Sequence, residues 1–383
     1  MTAHLGSKWA GMLLLVLFCV TGAPGACWAQ PEKVQIEKAN DVARFLAGLE
    51  PASESPLAPL TREATWQGHA RALDAAWSRL ERERLSKIRA WSAANLTRPR
   101  PAVLYMFSGP DFLYLDAFFP NRTTYVMSGL EPIGEIPSIT PAVRRSLGAV
   151  LGGLRQSVGS ALDYSFFITR EMQSRLRATK LTGVLPVLYL FLARSGKTIH
   201  EVTLIAVDKE GAVVAAGTPD TIPAVKITFS GADGRRQTLY YFRTDLSNSG
   251  LARSGFLKFC ERLGISDAFI KSASYLLHGD NFGVLRNFLM ERTSALVQDD
   301  SGIPVRFFKA DEWQLRPFGR YLRPIAVFGS YTYQRGLSDL YRRTNPPPLD
   351  FGVGYRWRPR ESNLLLARRT TREGVAQETT GQR

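Results

Sequence analysis

The chain has 383 residues and a formal charge of +15, from 49 Lys and Arg against 34 Asp and Glu, and 45% of it is apolar or aromatic. This is enough material for a sizeable core in one large domain with an extension, or in two ordinary domains. The basic excess is scattered, with no dense Lys/Arg block. It favours anionic partners such as a membrane surface, an acidic glycan or nucleic acid, and it equally fits a solvated Arg-rich surface. Two of the three cysteines, Cys19 and Cys27, lie in the first 29 residues, and a chain left with Cys260 alone has no internal disulfide framework.

The first 29 residues have the layout of a secretory signal: a short polar start with Lys8, an apolar run over Met12–Val20, and small residues ending at Ala29. That run is too short to span a membrane, and the predicted cut precedes Gln30. Export to the periplasm or the exterior is therefore expected. Pro24-Gly25-Ala26-Cys27 carries a proline where lipoprotein sites want an aliphatic residue, so lipid attachment at Cys27 is the weaker reading. No later run reaches spanning length; Leu185–Ala193 is the strongest and reads as a core helix.

Residues 30–98 read as a helical extension. An amphipathic helix is predicted up to Leu49, then a linker over Glu50–Pro56. A long helix is predicted over Thr61–Leu96, where Trp66, Leu73, Trp77, Leu80, Leu85, Ile88 and Trp91 recur at mainly helical spacing. Packing on the main body is its default role. Arg98-Pro99-Arg100-Pro101 marks the boundary with an α/β domain over residues 99–369.

That domain opens with the most informative stretch of the chain. Ala102–Phe107 is a continuous apolar run suited to a strand buried on both faces. Ser108-Gly109-Pro110-Asp111 stops it with a flexible glycine, a proline preset for a first helical turn, and two capping side chains. A helix over Phe112–Phe119, a strand over Thr123–Ser128 and an acidic turn at Gly129-Leu130-Glu131-Pro132 follow. This is a Rossmann-like start. If the two strands are parallel, Asp111 and Glu131 emerge at the carboxyl edge of the sheet, where ligands of open α/β sheets bind.

Further on, helices are predicted over Pro141–Val158, Leu185–Arg194, Gly255–Leu263, Asp267–Leu277 and Phe282–Arg292. Antiparallel hairpins are predicted for Ile199–Val207 with Ala212–Ala216 and for Val225–Phe229 with Gln237–Phe242. Ala295–Gln298 and Val305–Phe308 read as strands flanking Asp299-Asp300-Ser301-Gly302. Phe351–Trp357 and Asn363–Ala367 read as a closing hairpin, and residues 370–383 as a polar, disordered tail. The fold class is thus α/β, a mixed sheet with a Rossmann-like start and antiparallel additions, preceded by a helical extension.

Three stretches put polar residues between apolar elements: Ser108–Asp111 with Glu131, His278-Gly279-Asp280-Asn281, and Asp299-Asp300-Ser301. Ordinary turn chemistry explains each of them equally well. As a ligand site, the first two supply Ser108, Gly109, Asp111, Glu131, His278, Asp280 and Asn281. As a catalytic site, Asp111, Glu131, His278 and Asp299 are the candidates, and hydrolysis requires Asp111, Glu131 and either His278 or Asp299 to share one cleft. Glu131 stands where dinucleotide folds hold a ribose hydroxyl, but a turn with one glycine is too crowded for pyrophosphate. No cofactor is expected, and a methyltransferase-like shape without the activity is the corresponding alternative.

No serine-hydrolase elbow surrounds Ser108, because Met106 and Pro110 occupy the positions that must be small. No paired-histidine metal motif occurs, and Asp111, Asp116 and Glu131 form the one conceivable carboxylate set for a hard cation. Arg316–Tyr321 and Tyr355–Arg360 interleave arginines and aromatics; without any accompanying signature they do not indicate nucleic acid.

The strings FSGPDFLYLDAFFPN, TYVMSGLEP, LPVLYLFLARSG, KSASYLLHGDNF, LVQDDSGIPVRFF and FGVGYRWRPRESNLLLA resemble those of a group of exported bacterial proteins that carries no known activity. The resemblance spans most of the chain after about Trp66. It implies one integrated domain and brings no cofactor or catalytic residue. The expectation is an exported cell-envelope binding protein with a polar pocket at the sheet edge and a basic surface facing an anionic lipid or glycan. An envelope hydrolase is the alternative.

Overall fold

The computed structural model describes residues 38–329 and 332–370. The signal over residues 1–29, Cys27, the first part of the opening helix and residues 371–383 of the tail lie outside the described residues. Helices come first: α1 (Ala39–Leu46), α2 (Ala64–Leu80) and α3 (Ser86–Asn95). A π-helical turn over Glu81–Leu85 joins α2 to α3 without a break. Its cause is legible in the spacing. Trp66, Leu73 and Leu80 keep one stripe, and the five-residue step to Leu85 would leave that stripe in a regular helix but matches one π-turn. All four are buried, and Arg84 is turned inward with them.

The α/β body follows with β1 (Ala102–Tyr105), α4 (Phe112–Phe118) and β2 (Thr124–Gly129). Three helices fold over the same face: α5 (Pro141–Arg144), α6 (Leu147–Tyr164) and α7 (Thr169–Arg177). The helix expected over Pro141–Val158 is broken between α5 and α6 at Arg145-Ser146. Next come α8 (Leu185–Arg194), β3 (Thr198–Val207), β4 (Val213–Ala215), β5 (Ile222–Ser230) and β6 (Arg236–Arg243). Then α9 (Asn248–Ala252), α10 (Phe256–Glu261), β7 (Ser266–Ile270), α11 (Gly283–Arg292) and β8 (Thr293–Gln298). The chain closes with β9 (Trp313–Gly319), α12 (Arg335–Thr344) and β10 (Asn363–Arg369).

The ten strands form one mixed sheet in the order β4-β3-β5-β6-β2-β1-β7-β8-β10-β9. Its middle, β6-β2-β1-β7-β8, is parallel throughout. The flanking strands are antiparallel additions. In chain order the parallel strands stand third, second, first, fourth, fifth, so the chain reverses its direction of travel across the sheet between β1 and β7. That crevice is where doubly wound sheets open a ligand site.

Strand alternation divides the core in two. Val103 and Tyr105 of β1 join a cluster with α1–α4, α6 and α8, whereas Leu104 and Met106 join one with α10 and α11. The helical extension is therefore one layer of the same core. Cys260 is buried on α10, and burial pushes its thiol up, as suits a structural residue. Among the described residues no helix is long and apolar enough to cross a membrane.

Three further elements differ from expectation. Asp267–Leu277, expected as a helix, contains β7, the fourth parallel strand, with every residue buried between β1 and β8. A strand buried on both faces loses its alternation, so its pattern cannot be told from that of a buried helix. Val305–Phe307 is a 3-10 turn instead of a strand. Phe351–Trp357 does not pair with β10, whose partners are β8 and β9. That segment doubles back so tightly that a Cβ on Gly352 would lie 1.4 Å from the Trp357 carbonyl oxygen.

Candidate functional site

Two loops leave the carboxyl ends of β1 and β7 and face each other across the crevice. In the first, Phe107 and Gly109 both take left-handed backbone, with φ of 59° and 51°. Ser108 ties this loop to β2: its amide donates to the Ser128 carbonyl at 2.9 Å, and its Oγ accepts from the Ser128 amide at 3.1 Å. Asp111 caps α4, with Oδ1 accepting from the Tyr114 amide at 3.3 Å. Its Oδ2 accepts from the Tyr105 hydroxyl at 2.9 Å and meets Lys271 Nζ at 2.8 Å.

Lys271 is the first residue after β7, and its side chain is 1% exposed against 3% for Asp111. Burial pushes the Asp111 carboxyl up and the Lys271 ammonium down, and their contact opposes both shifts. Lys271 Nζ also donates to the Ser165 carbonyl and lies 4.3 Å from the centre of the Tyr114 ring. Behind that ring the π-turn of the helical extension delivers Arg84, whose Nη1 donates to the Tyr114 hydroxyl at 2.6 Å. The N-terminal helices thereby hold the pair in place.

The second loop is more strained. Ser272, Ser274 and Tyr275 have φ of 53°, 51° and 57°, conformations that cost on the order of 1–3 kcal/mol each outside glycine. They persist because every turn of the loop is tied. Asp299 Oδ2 accepts from the Ser272 amide at 2.9 Å, Ser301 Oγ from the Ala273 amide at 2.8 Å, and the Tyr355 hydroxyl from the Ser274 amide at 3.1 Å. The Tyr275 hydroxyl donates to Asp300 Oδ2 at 2.7 Å. The Ser272 hydroxyl is the exception, a buried oxygen with no hydrogen-bond partner among the described residues.

Between the loops lies a cleft of about 140 Å³, walled by Ser108, Gly109, Asp111 and Glu131 on one side and by Lys271–Ser274 on the other, with Phe166 and Tyr355 closing it. Glu131, two residues past β2, is 8% exposed, and burial pushes its carboxyl above the usual range. Its Oε2 accepts from the Tyr241 hydroxyl at 3.2 Å. Gly129 is needed for this, because a Cβ there would stand 2.1 Å from Oε2. A second cavity of about 170 Å³ adjoins across Glu131 and Leu276.

The expected set divides accordingly. Ser108, Gly109, Asp111 and Glu131 share the cleft. Asp299 is fully buried beside it, with both oxygens accepting from Ser272 and Ser301, and it does not line the cleft. His278 is excluded: it sits edge-on to the Tyr275 ring at 5.2 Å, faces Gln334, and is pushed down to about 4 by burial. Asp280 and Asn281 are exposed on a 3-10 turn, where Asp280 lies 4.0 Å from Arg286. The reason for both exclusions is β7. Because that segment is a strand, its loop turns Ser272 and Ser274 toward the cleft and carries His278 and the residues after it past the cleft.

Asp116 is committed elsewhere, to Lys197 at 2.8 Å, so the proposed carboxylate set does not assemble. Among the described residues no three His, Cys, Asp or Glu side chains group to hold a metal. Lys271, Ser272 and Tyr355 were missed in the sequence. The available signal was a lysine directly after the apolar Ala268-Phe269-Ile270. Comparison of the chain with protein-family models, curated proteins and solved structures finds no match.

Proposed function

We propose that this is an exported envelope protein that binds a small hydroxyl-rich ligand, such as the end of a glycan, in the cleft between the β1 and β7 loops. The observation that carries the reading is the buried, unpartnered Ser272 hydroxyl in the wall of that cleft, because a polar atom left without a partner costs about 1–3 kcal/mol unless something else supplies the bond. Glu131 adds an acceptor at the position where α/β folds hold vicinal hydroxyls. Phe166 and Tyr355, with ring centres 5.3 Å apart, offer apolar faces to a sugar ring. A cleft of about 140 Å³ admits one sugar or the end of a chain and is too small for a whole dinucleotide.

The strand order, with antiparallel β10 set between β8 and β9, supports the methyltransferase-like reading of the fold without bringing the activity. A hydrolase would have to work through Glu131, since both Asp111 oxygens are engaged and His278 stands outside. Titration of the protein with glucose, N-acetylglucosamine and glucuronate, followed by saturation-transfer NMR, tests the binding reading. At least one sugar is expected to bind, with Ser272→Ala weakening it roughly fivefold through one lost hydrogen bond. No transfer to any of the three sugars, or equal transfer in the variant, defeats it.

A further inference from the structure

The amino ends of the same strands carry a different feature. A groove of about 650 Å³ runs past the starts of β1, β7 and β8 and the end of β10, lined by Arg98, Arg100, Arg368 and Arg369. Arg316 of β9 lines a separate depression, two residues along the strand from Gln314 in the groove wall. None of these five makes an ion pair within 4 Å among the described residues.

The acidic residue on the groove floor, Asp267, is already satisfied. It pairs with Arg122 at 3.4 Å and accepts from Ser294 Oγ at 3.0 Å and the Arg100 amide at 3.1 Å. Exposed Glu291 is the other carboxylate in the lining. Arg369 keeps a buried Nε with no hydrogen-bond partner among the described residues. Burial and then the neighbouring charges of Arg316 and Arg98 push the Arg368 guanidinium down, with Asp267 opposing them. Four arginines line the groove against two carboxylates, one of them already paired with Arg122; such an excess of cations favours an anion between them, and guanidinium forks match the oxygens of phosphate.

We propose that this groove binds the phosphate group of an anionic ligand, with Arg98, Arg316 and Arg368 supplying the charge. Nothing at the carboxyl-edge cleft takes part, so this site stands or falls independently of the sugar site. Arg98 and Arg316 are exposed and, among the described residues, make no side-chain hydrogen bond, Arg316 lying only over the Phe318 ring at 4.9 Å, which makes them the residues to change. Arg368 donates to the Asn95 carbonyl and is left in place.

The test is calorimetric titration of the full chain with inorganic pyrophosphate at low and raised salt, beside co-sedimentation with vesicles of phosphatidylglycerol or phosphatidylcholine. Pyrophosphate is expected to bind the protein and to weaken as salt rises. R98Q/R316Q is expected to weaken it roughly tenfold, as loss of charge-assisted bonds requires. The control R71Q, an exposed arginine of α2, should change it by less than about twofold. Phosphatidylglycerol recruitment that disappears in R98Q/R316Q assigns the phosphate to a lipid headgroup. Pyrophosphate binding without vesicle recruitment assigns it to a free solute. Absence of salt-sensitive pyrophosphate binding, or an equal loss in R71Q, overturns the proposal.

Discussion

At the carboxyl end of β1 and β7, Asp111 and Lys271 meet at 2.8 Å with side chains almost wholly removed from solvent. At the amino end of the same strands, Arg98 and Arg368 line an open groove and Arg316 stands in the depression beside it, and among the described residues none of the three forms an ion pair within 4 Å. The first arrangement is expensive and exact: two desolvated charges are tolerated only with Tyr105, Tyr114 and the Ser165 carbonyl in place around them. The second costs the fold little, because water solvates whatever the protein leaves unpaired. Buried charge therefore holds this molecule's geometry, and exposed charge is free to meet a partner.

Substitutions should separate the two ends sharply. Lys271→Met strands the Asp111 carboxylate in the core and is expected to cost about 3–5 kcal/mol, read as a lowered midpoint in denaturant unfolding. A loss under about 1 kcal/mol would mean that water reaches the pair and the contrast is false. The next effect is on pH dependence. The Asp299 carboxyl is pushed up to about 6, first by burial and then by Asp300. Between its ordinary value near 3.8 and about 6, the folded chain keeps a proton that the unfolded chain has released, so this group makes stability fall as pH rises through that window. The slope is at most about 1.4 kcal/mol per pH unit. Asp299→Asn should remove that contribution, visible as the difference between the two proteins' stability profiles over pH 4 to 6. The neutral buried His69, pushed down to about 4, tilts both profiles the opposite way and cancels in the difference.

Smaller effects refine the picture. Ser272→Gly relieves left-handed strain at φ 53° and should stabilise the fold by up to about 1 kcal/mol, measured as a raised Tm, while weakening whatever the cleft holds. A destabilised variant would show that the serine is held for the fold's sake and not for a ligand. At the amino end, R98Q/R316Q should change unfolding free energy by less than about 0.5 kcal/mol. A larger change would place those arginines in the structure and remove them from the surface.

Of the site, the half that is local in the chain could be read directly. An apolar run, a Ser-Gly-Pro-Asp stop, a short helix and a second strand lie within thirty or so residues, and their order alone puts Asp111 and Glu131 on one rim once the strands are parallel. Capping, turn chemistry and continuous apolarity act between near neighbours, so composition and spacing carry them. The other half depended on pairing across the sheet. Whether Asp267-Ala268-Phe269 became helix or strand was decided by β1 and β8 on either side of it, and that choice placed Lys271 against Asp111 and moved His278 out of reach. The π-turn that sends Arg84 behind Tyr114, and the pairing of β10 with β9 in place of Phe351–Trp357, were likewise settled by tertiary contact. A segment buried on both sides presents the same apolar pattern in either conformation, so its backbone bonds take the form that its neighbours in space can satisfy, and those neighbours lie far away in the chain.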